Sequence, residues 1–255
     1  MPRAAPAGPW ATLGGRRAWL AMCASTGPAL CLLLATPLAS ADGWDGAVVA
    51  STDSLYRGLA RNHGRGSLSL DLRFRNDTGW SAFGGVSAWR REGAATTTEV
   101  SFGAGHSWQL DGEWTAQLGA AHYAYGGPAQ RFAYDYDELN ASVGWRGQWF
   151  ASLAVSPNTT GPGAYGQLRR DLTWAFELTT RQRLTGRLAL DAGVGYFDLQ
   201  RLIGTGYPYA SVGLSSGVGP VQAYLSFVTS RAEARGVAPA PVAGDHWVAS
   251  VLWSF

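Results

Sequence analysis

The side chains of this 255-residue chain that could do chemistry are charges set at even spacings. Asp71, Arg73 and Arg75 recur at every second position, as do Arg169 and Asp171, while Asp53 and Arg57 stand four apart. In an extended chain even spacing puts side chains on one face. The face opposite Asp71, Arg73 and Arg75 carries Leu68, Leu70, Leu72 and Phe74. Charges on one side and leucines on the other describe a wall between lipid and a polar lumen. Charges of both signs in such a lumen select solutes, or pair with one another and fill a narrow bore. The expected lumen-lining set is Asp53, Arg57, Asp71, Arg73, Arg75, Glu138, Arg169, Asp171, Glu177, Arg187 and Asp191.

Catalysis needs a His convergent with a hydroxyl or carboxylate. His63 lies in a loop between Arg61 and Arg65, and His106 and Ser107 point to opposite faces. His122 shares a face with Trp114 and Leu118, as an interface residue does. His246 stands beside Asp245, whose side chain points the other way. No catalytic residue is assigned. Both cysteines, Cys23 and Cys31, precede residue 41, so the chain beyond it has no thiolate, disulfide or Cys-ligated metal. No P-loop, calcium-loop or zinc spacing occurs, and no cofactor is expected.

The elements that must position the lumen charges follow from composition. Glycine is abundant at 34, Trp numbers 12, charged residues are 15%, and all twenty basic residues are Arg. Mean hydropathy is near zero, too polar for a helical membrane protein, whose spans need ~18 or more consecutive apolar residues. Arg16 and Arg17 precede an apolar run ending in Ala39-Ser40-Ala41, a small-x-small cleavage site, so residues 1–41 read as a signal peptide and 42–255 as the mature domain. Pro28 and Pro37 interrupt the run and argue against a membrane anchor. The mature part has 17 Arg against 18 acids, a balance that suggests no nucleic-acid partner.

Alternation predicts twelve strands. The first runs from about Trp44 to Leu59, the second through Leu68 to Phe74, and the last from Asp245 to Phe255. Asp111-Gly112 reads as a two-residue hairpin turn with positive φ. Pro157 to Gly163 reads as a loop. Connections alternate short and long, the asymmetry of a transmembrane barrel with both termini at the short-turn end. Trp44, Trp80, Trp108, Trp114, Trp145, Trp149 and Trp253 fall at that end. Tyr56, Trp89, Tyr123, Tyr125, Tyr134, Tyr136, Tyr165, Tyr207 and Tyr209 fall at the other, so two aromatic girdles are expected. The final ladder of Trp247, Ala249, Val251, Trp253 and Phe255 resembles the closing strand of an outer-membrane barrel, with Trp253 and Phe255 as the assembly signal.

Two stretches carry a family likeness. Ser51-Thr52-Asp53-Ser54-Leu55-Tyr56-Arg57-Gly58-Leu59 and Tyr134-Asp135-Tyr136-Asp137-Glu138-Leu139 resemble segments of the TorF-type family of proteobacterial porin-like proteins. Its members open with a Ser-Asp-Tyr-x-x-Arg-Gly-like segment and carry a Tyr-x-Glu-like segment midway. Here Thr52 intervenes before Asp53, and Ser54 stands where an aromatic is common. The resemblance covers most of 42–255 and implies a barrel and, more weakly, a pore.

The expected fold is an all-β, antiparallel up-and-down transmembrane barrel of about twelve strands in the bacterial outer membrane. The expected function is a passive porin for small hydrophilic solutes. The alternatives are a non-conducting structural or adhesive barrel and an outer-membrane lipid-modifying enzyme. Expected partners are outer-membrane lipids, the barrel-assembly machinery and small solutes.

Overall fold

A computed structural model describes residues 43–90, 95–127, 134–162, 168–233, 235–238 and 242–255. The expected signal peptide, residues 1–41, lies outside them. Twelve strands form a closed antiparallel barrel: β1 (Gly43–Ser51), β4 (Ser67–Arg75), β5 (Trp80–Arg90), β6 (Thr96–Gln109), β7 (Trp114–Gly126), β8 (Tyr136–Trp145), β9 (Trp149–Pro162), β10 (Leu168–Arg183), β11 (Leu188–Leu199), β12 (Thr205–Val218), β13 (Val221–Ser230) and β14 (Asp245–Ser254). A separate two-stranded ladder, β2 (Leu55–Tyr56) and β3 (Leu59–Ala60), falls between β1 and β4. One helical turn, α1 (Gln200–Ile203), links β11 to β12. Among the described residues no helix is long and apolar enough to cross a bilayer; the strands make the crossing.

Facing follows the period of two. Leu68, Leu70, Leu72, Val86, Val100, Phe102, Leu139, Val194 and Leu225 are exposed, whereas Ser69, Asp71, Arg73, Ser87, Glu99, Ser101 and Glu138 are buried. Small hydroxyl and charged side chains thus fill the bore and leucines and valines face outward, the inverse of a soluble barrel. The expected parity also holds. The connections at 76–79, 110–113, 146–148, 184–187 and 219–220 are short and share an end with both termini of the barrel, while the longer ones lie opposite. These are called the turn end and the loop end.

Two local expectations are corrected. Gly112 has no left-handed φ. The side chain of Asp111 instead accepts the N–H groups of Glu113 and Trp114 at 2.8 and 2.7 Å, an Asx turn within a four-residue connection. Left-handed φ is found at Arg146 and Gly147, +53° and +59°. Pro157 does not end its strand; β9 runs on to Pro162 through a register shift against Asp171 and Thr173. The unpaired residues of a bulge give Pro a place that needs no ladder hydrogen bond.

The β1–β14 seam pairs 47–51 with 250–254, and Phe255 extends it by one residue. Phe255 and Gly46 exchange both backbone hydrogen bonds at 3.0 Å. A Cβ on Gly46 would lie 2.7 Å from the Phe255 ring and 2.9 Å from Leu72, so glycine is required for the ring to lie flat there. Trp253 is exposed on the same outer face.

Candidate functional site: the lumen

The bore is interrupted by a hairpin folded inward from the wall. The first strand stops at Ser51, not near Leu59 as alternation suggested, and residues 52–66 leave the sheet. Within them Leu55 pairs with Ala60 and Tyr56 with Leu59. The tip, Arg57 and Gly58, has φ +50° and +78°, the double left-handed turn that right-twisted two-residue hairpins adopt. A side chain on Gly58 would meet Tyr209 Cβ at 2.5 Å. Alternation had continued across this segment because a hairpin keeps the same period of two as the strand it follows.

Apolar packing and backbone bonds seat the hairpin. Leu55 and Ala60 pack with Val228 and Val248 of β13 and β14, and Tyr56 and Leu59 pack against the cluster of Phe197, Tyr207 and Tyr209. Thr52 N–H donates to Ala249 O at 2.9 Å and Ala60 N–H to Val242 O at 2.9 Å. At its base Asp53 Oδ2 accepts Gly64 N–H at 2.6 Å, and Asn62 Oδ1 accepts Ser54 N–H at 2.7 Å.

From this hairpin two arginines reach the wall. Arg57 donates to Glu138 at 2.5 Å, with side chains 6% and 2% exposed, while its guanidinium lies 4.4 Å from the Phe197 ring centroid. Arg61 donates to Glu99 at 2.7 Å and stacks between Tyr56 and Trp89 at 4.6 and 5.0 Å. A third wall carboxylate, Glu177, accepts the Tyr209 hydroxyl. The three glutamates come from β6, β8 and β10, so alternate strands present them to the hairpin. A void of about 20 Å³ remains between hairpin and wall, bounded by Tyr56, Arg57, Arg61, Glu138 and Glu177. That is room for about one water.

The turn end is different. There Asp45 accepts Arg73 at 2.7 Å and has Arg75 at 3.9 Å. Arg181 pairs with Asp191 at 3.2 Å and donates to Ser215 Oγ at 2.6 Å. Beyond it a cavity of about 640 Å³ is lined by Arg146, Gln148, Arg181, Arg183, Arg187 and Gln222. Glu113, in the neighbouring turn, has its carboxyl held below the usual carboxylate range by the Arg146 hydrogen bond.

The sequence-predicted residues therefore separate into groups. Asp53 and Arg57 lie in the hairpin and not on a barrel strand. Glu138 and Glu177 face it, and Asp71 lies buried at mid-height, leaning over Gly85, whose Cβ would sit 2.4 Å from its Oδ1. Arg73, Arg75 and Asp191 lie towards the turn end. Arg187 stands in a turn on the rim of the large cavity. Arg169 and Asp171 bond to each other beyond the register shift at the loop end, with the Arg169 side chain 56% exposed; they stand apart from the throat. Sequence reasoning missed Asp45, Arg61, Glu99 and Arg181. The parity of β6 and β10 carries the signal for Glu99 and Arg181; nothing local marks Arg61.

The aromatic girdles also divide. At the turn end Trp44, Trp80, Trp108, Trp114, Trp149 and Trp253 are exposed on the outer wall. At the loop end Trp89, Tyr123, Tyr136, Tyr207 and Tyr209 are buried and line the bore, with the Tyr123 and Tyr136 rings stacked at 4.6 Å. The second belt is thus largely an internal cluster, and Tyr165 lies outside the described residues. Of the histidines, His122 bonds Asp137 at 2.7 Å across β7 and β8, with Ala120 and Ala124 on the same side of its strand. His106 sits edge-on to Trp80 at 4.8 Å. Among the described residues no three His, Cys, Asp or Glu side chains converge as a metal would require.

No protein-family model matches the chain. No curated protein matches it. Solved structures do. It is similar to the NanC porin, with 10% identity and a TM-score of 0.55 over 84% of this chain and 99% of that one. It is similar to the KdgM porin, with 9% identity and a TM-score of 0.53 over 83% of this chain and 99% of that one. The KdgM porin in complex with disordered oligogalacturonate matches at 9% identity and a TM-score of 0.51, covering 84% and 99%. At such identities the likeness is one of fold: an outer-membrane-type barrel.

Proposed function

We propose that the chain is an outer-membrane channel passing small hydrophilic solutes through a throat set by the inward hairpin. One observation carries this reading. The barrel encloses charged and hydroxyl side chains and a large polar cavity, where a purely structural barrel could be packed with apolar ones. Arg57, Glu138 and Glu177 form the throat; Arg73, Arg75 and Asp191 line the approach from the turn end. Asp53 anchors the hairpin base, and Arg169 and Asp171 belong to the outer rim. No catalytic step is assigned. The fold likeness to porins supports a channel and leaves the solute open.

The two stretches that carry the TorF-type resemblance, 51–59 and 134–139, meet at the Arg57–Glu138 pair. Distant segments joined by one buried contact read as a single working unit.

The narrowness of the throat favours a second reading, a barrel held shut by its hairpin. Planar-bilayer recording of the refolded protein tests both. Discrete small conductance steps are expected for the native chain, with larger steps for Arg57→Gln/Arg61→Gln. Conductance only in the double variant would select the shut barrel. Silence in both folded proteins would defeat the channel.

A further inference from the structure

We infer that the turn-end cavity is a binding site for a small, multiply charged oxyanion of the carboxylate or phosphate class. The proposal deepens the channel reading and rests on it for the ligand's role as a solute.

The argument begins with supply of positive charge. Four arginines, Arg146, Arg181, Arg183 and Arg187, converge on one cavity of about 640 Å³, a volume in the range of small-molecule sites. Arg181 is held by Asp191 and Ser215, and Arg146 by Glu113. Among the described residues no ion pair engages Arg183 or Arg187. Their guanidinium groups offer planar pairs of donors that match a carboxylate or phosphate edge. Gln148 and Gln222 add neutral polar groups on the same wall. The cavity lies inside the mouth, beside the buried Ser215 and Ala189, so a lipid headgroup on the outer wall is not its occupant.

The opposite half of the bore gives the second observation. Around the hairpin, Asp53, Asp71, Glu99, Glu138 and Glu177 outnumber Arg57, Arg61 and Arg65. The lumen is therefore polarised along its axis, with arginines at the turn end and carboxylates at mid-height and above. An anion is drawn into the mouth by the focused positive field and meets carboxylates beyond it. It is held in the vestibule.

Calorimetric titration of citrate into the full barrel, refolded in zwitterionic detergent at fixed ionic strength, tests the site. Saturable binding of one citrate per barrel is expected, weakened about tenfold or more in Arg183→Ala/Arg187→Ala and by less in Arg183→Lys/Arg187→Lys, which keeps the charge and loses the planar donor pair, with no binding of sucrose. Such a loss corresponds to about 1.4 kcal/mol or more. Heat-modifiable gel mobility reports that each variant is folded; both arginines sit at the end of β10 and in the adjoining turn, away from the throat. Equal citrate affinity in the native and alanine proteins, or no citrate binding at all, would overturn the proposal. Because no current is measured, a silent barrel that binds citrate keeps the site and loses the channel; a conducting barrel that ignores citrate does the reverse.

Discussion

The two halves of the bore solve opposite problems with the same residue types. At the loop end Arg57 and Arg61 are enclosed by rings and matched to glutamates almost without exposure. At the turn end Arg73 is no less buried, at 2% exposure, but its partner Asp45 is 36% exposed with Arg75 beside it, and Arg187 has no ion-pair partner among the described residues. An ion pair taken from water must be matched completely, because an orphaned buried charge is costly; a half-solvated one tolerates mismatch. The comparison teaches that the hairpin is a fixed part and the vestibule an adaptable one.

That contrast can be tested by removing one partner at each depth. Arg57→Ala strands Glu138 in a nearly dry site and should cost about 3–5 kcal/mol of stability. Chemical denaturation of the barrel in lipid vesicles measures it; an unchanged midpoint would mean that water reaches Glu138. Arg73→Ala removes the same kind of charge, yet Asp45 keeps contact with water and has Arg75 nearby, so the expected cost is about 1.5–3 kcal/mol, the range for a hydrogen bond to a charged group. A loss as large as that of Arg57→Ala would erase the difference between the halves. Arg169→Ala lies at the loop end but outside the enclosed throat. Its denaturation midpoint should stay where it was, which would show that enclosure, not the end of the barrel, decides the cost.

Much of the wall was legible in the chain. Leu68, Leu70 and Leu72 against Ser69, Asp71 and Arg73 assign lipid and lumen outright, because a one-residue slip would reverse every side chain. The alternation of short and long connections gave the orientation of the termini within the barrel. The interior was harder to read. Arg57 and Gly58 sit in a run whose period of two continues that of β1, and only three-dimensional contact with Tyr209 distinguishes a turn from a strand there. Position along a strand also says nothing about face: Tyr123 and Tyr136 lie at the loop end as expected, but on the inner side. Arg61 was invisible as a throat residue because it lies in the segment that leaves the sheet, where no strand period assigns a facing.

The Gly46–Phe255 seam sets an order of events. The two residues that complete the cylinder are separated by nearly the whole length of the domain. Until they pair, β1 and β14 both present open edges, which invite pairing with any other extended chain. Contacts this distant in sequence are also slow to find, since the loop-closure entropy comes before the reward. The cylinder can therefore close only once the whole segment from β1 to Phe255 is available. Before that it is an unclosed ribbon, whose two edge strands stay open to wrong pairing until they meet.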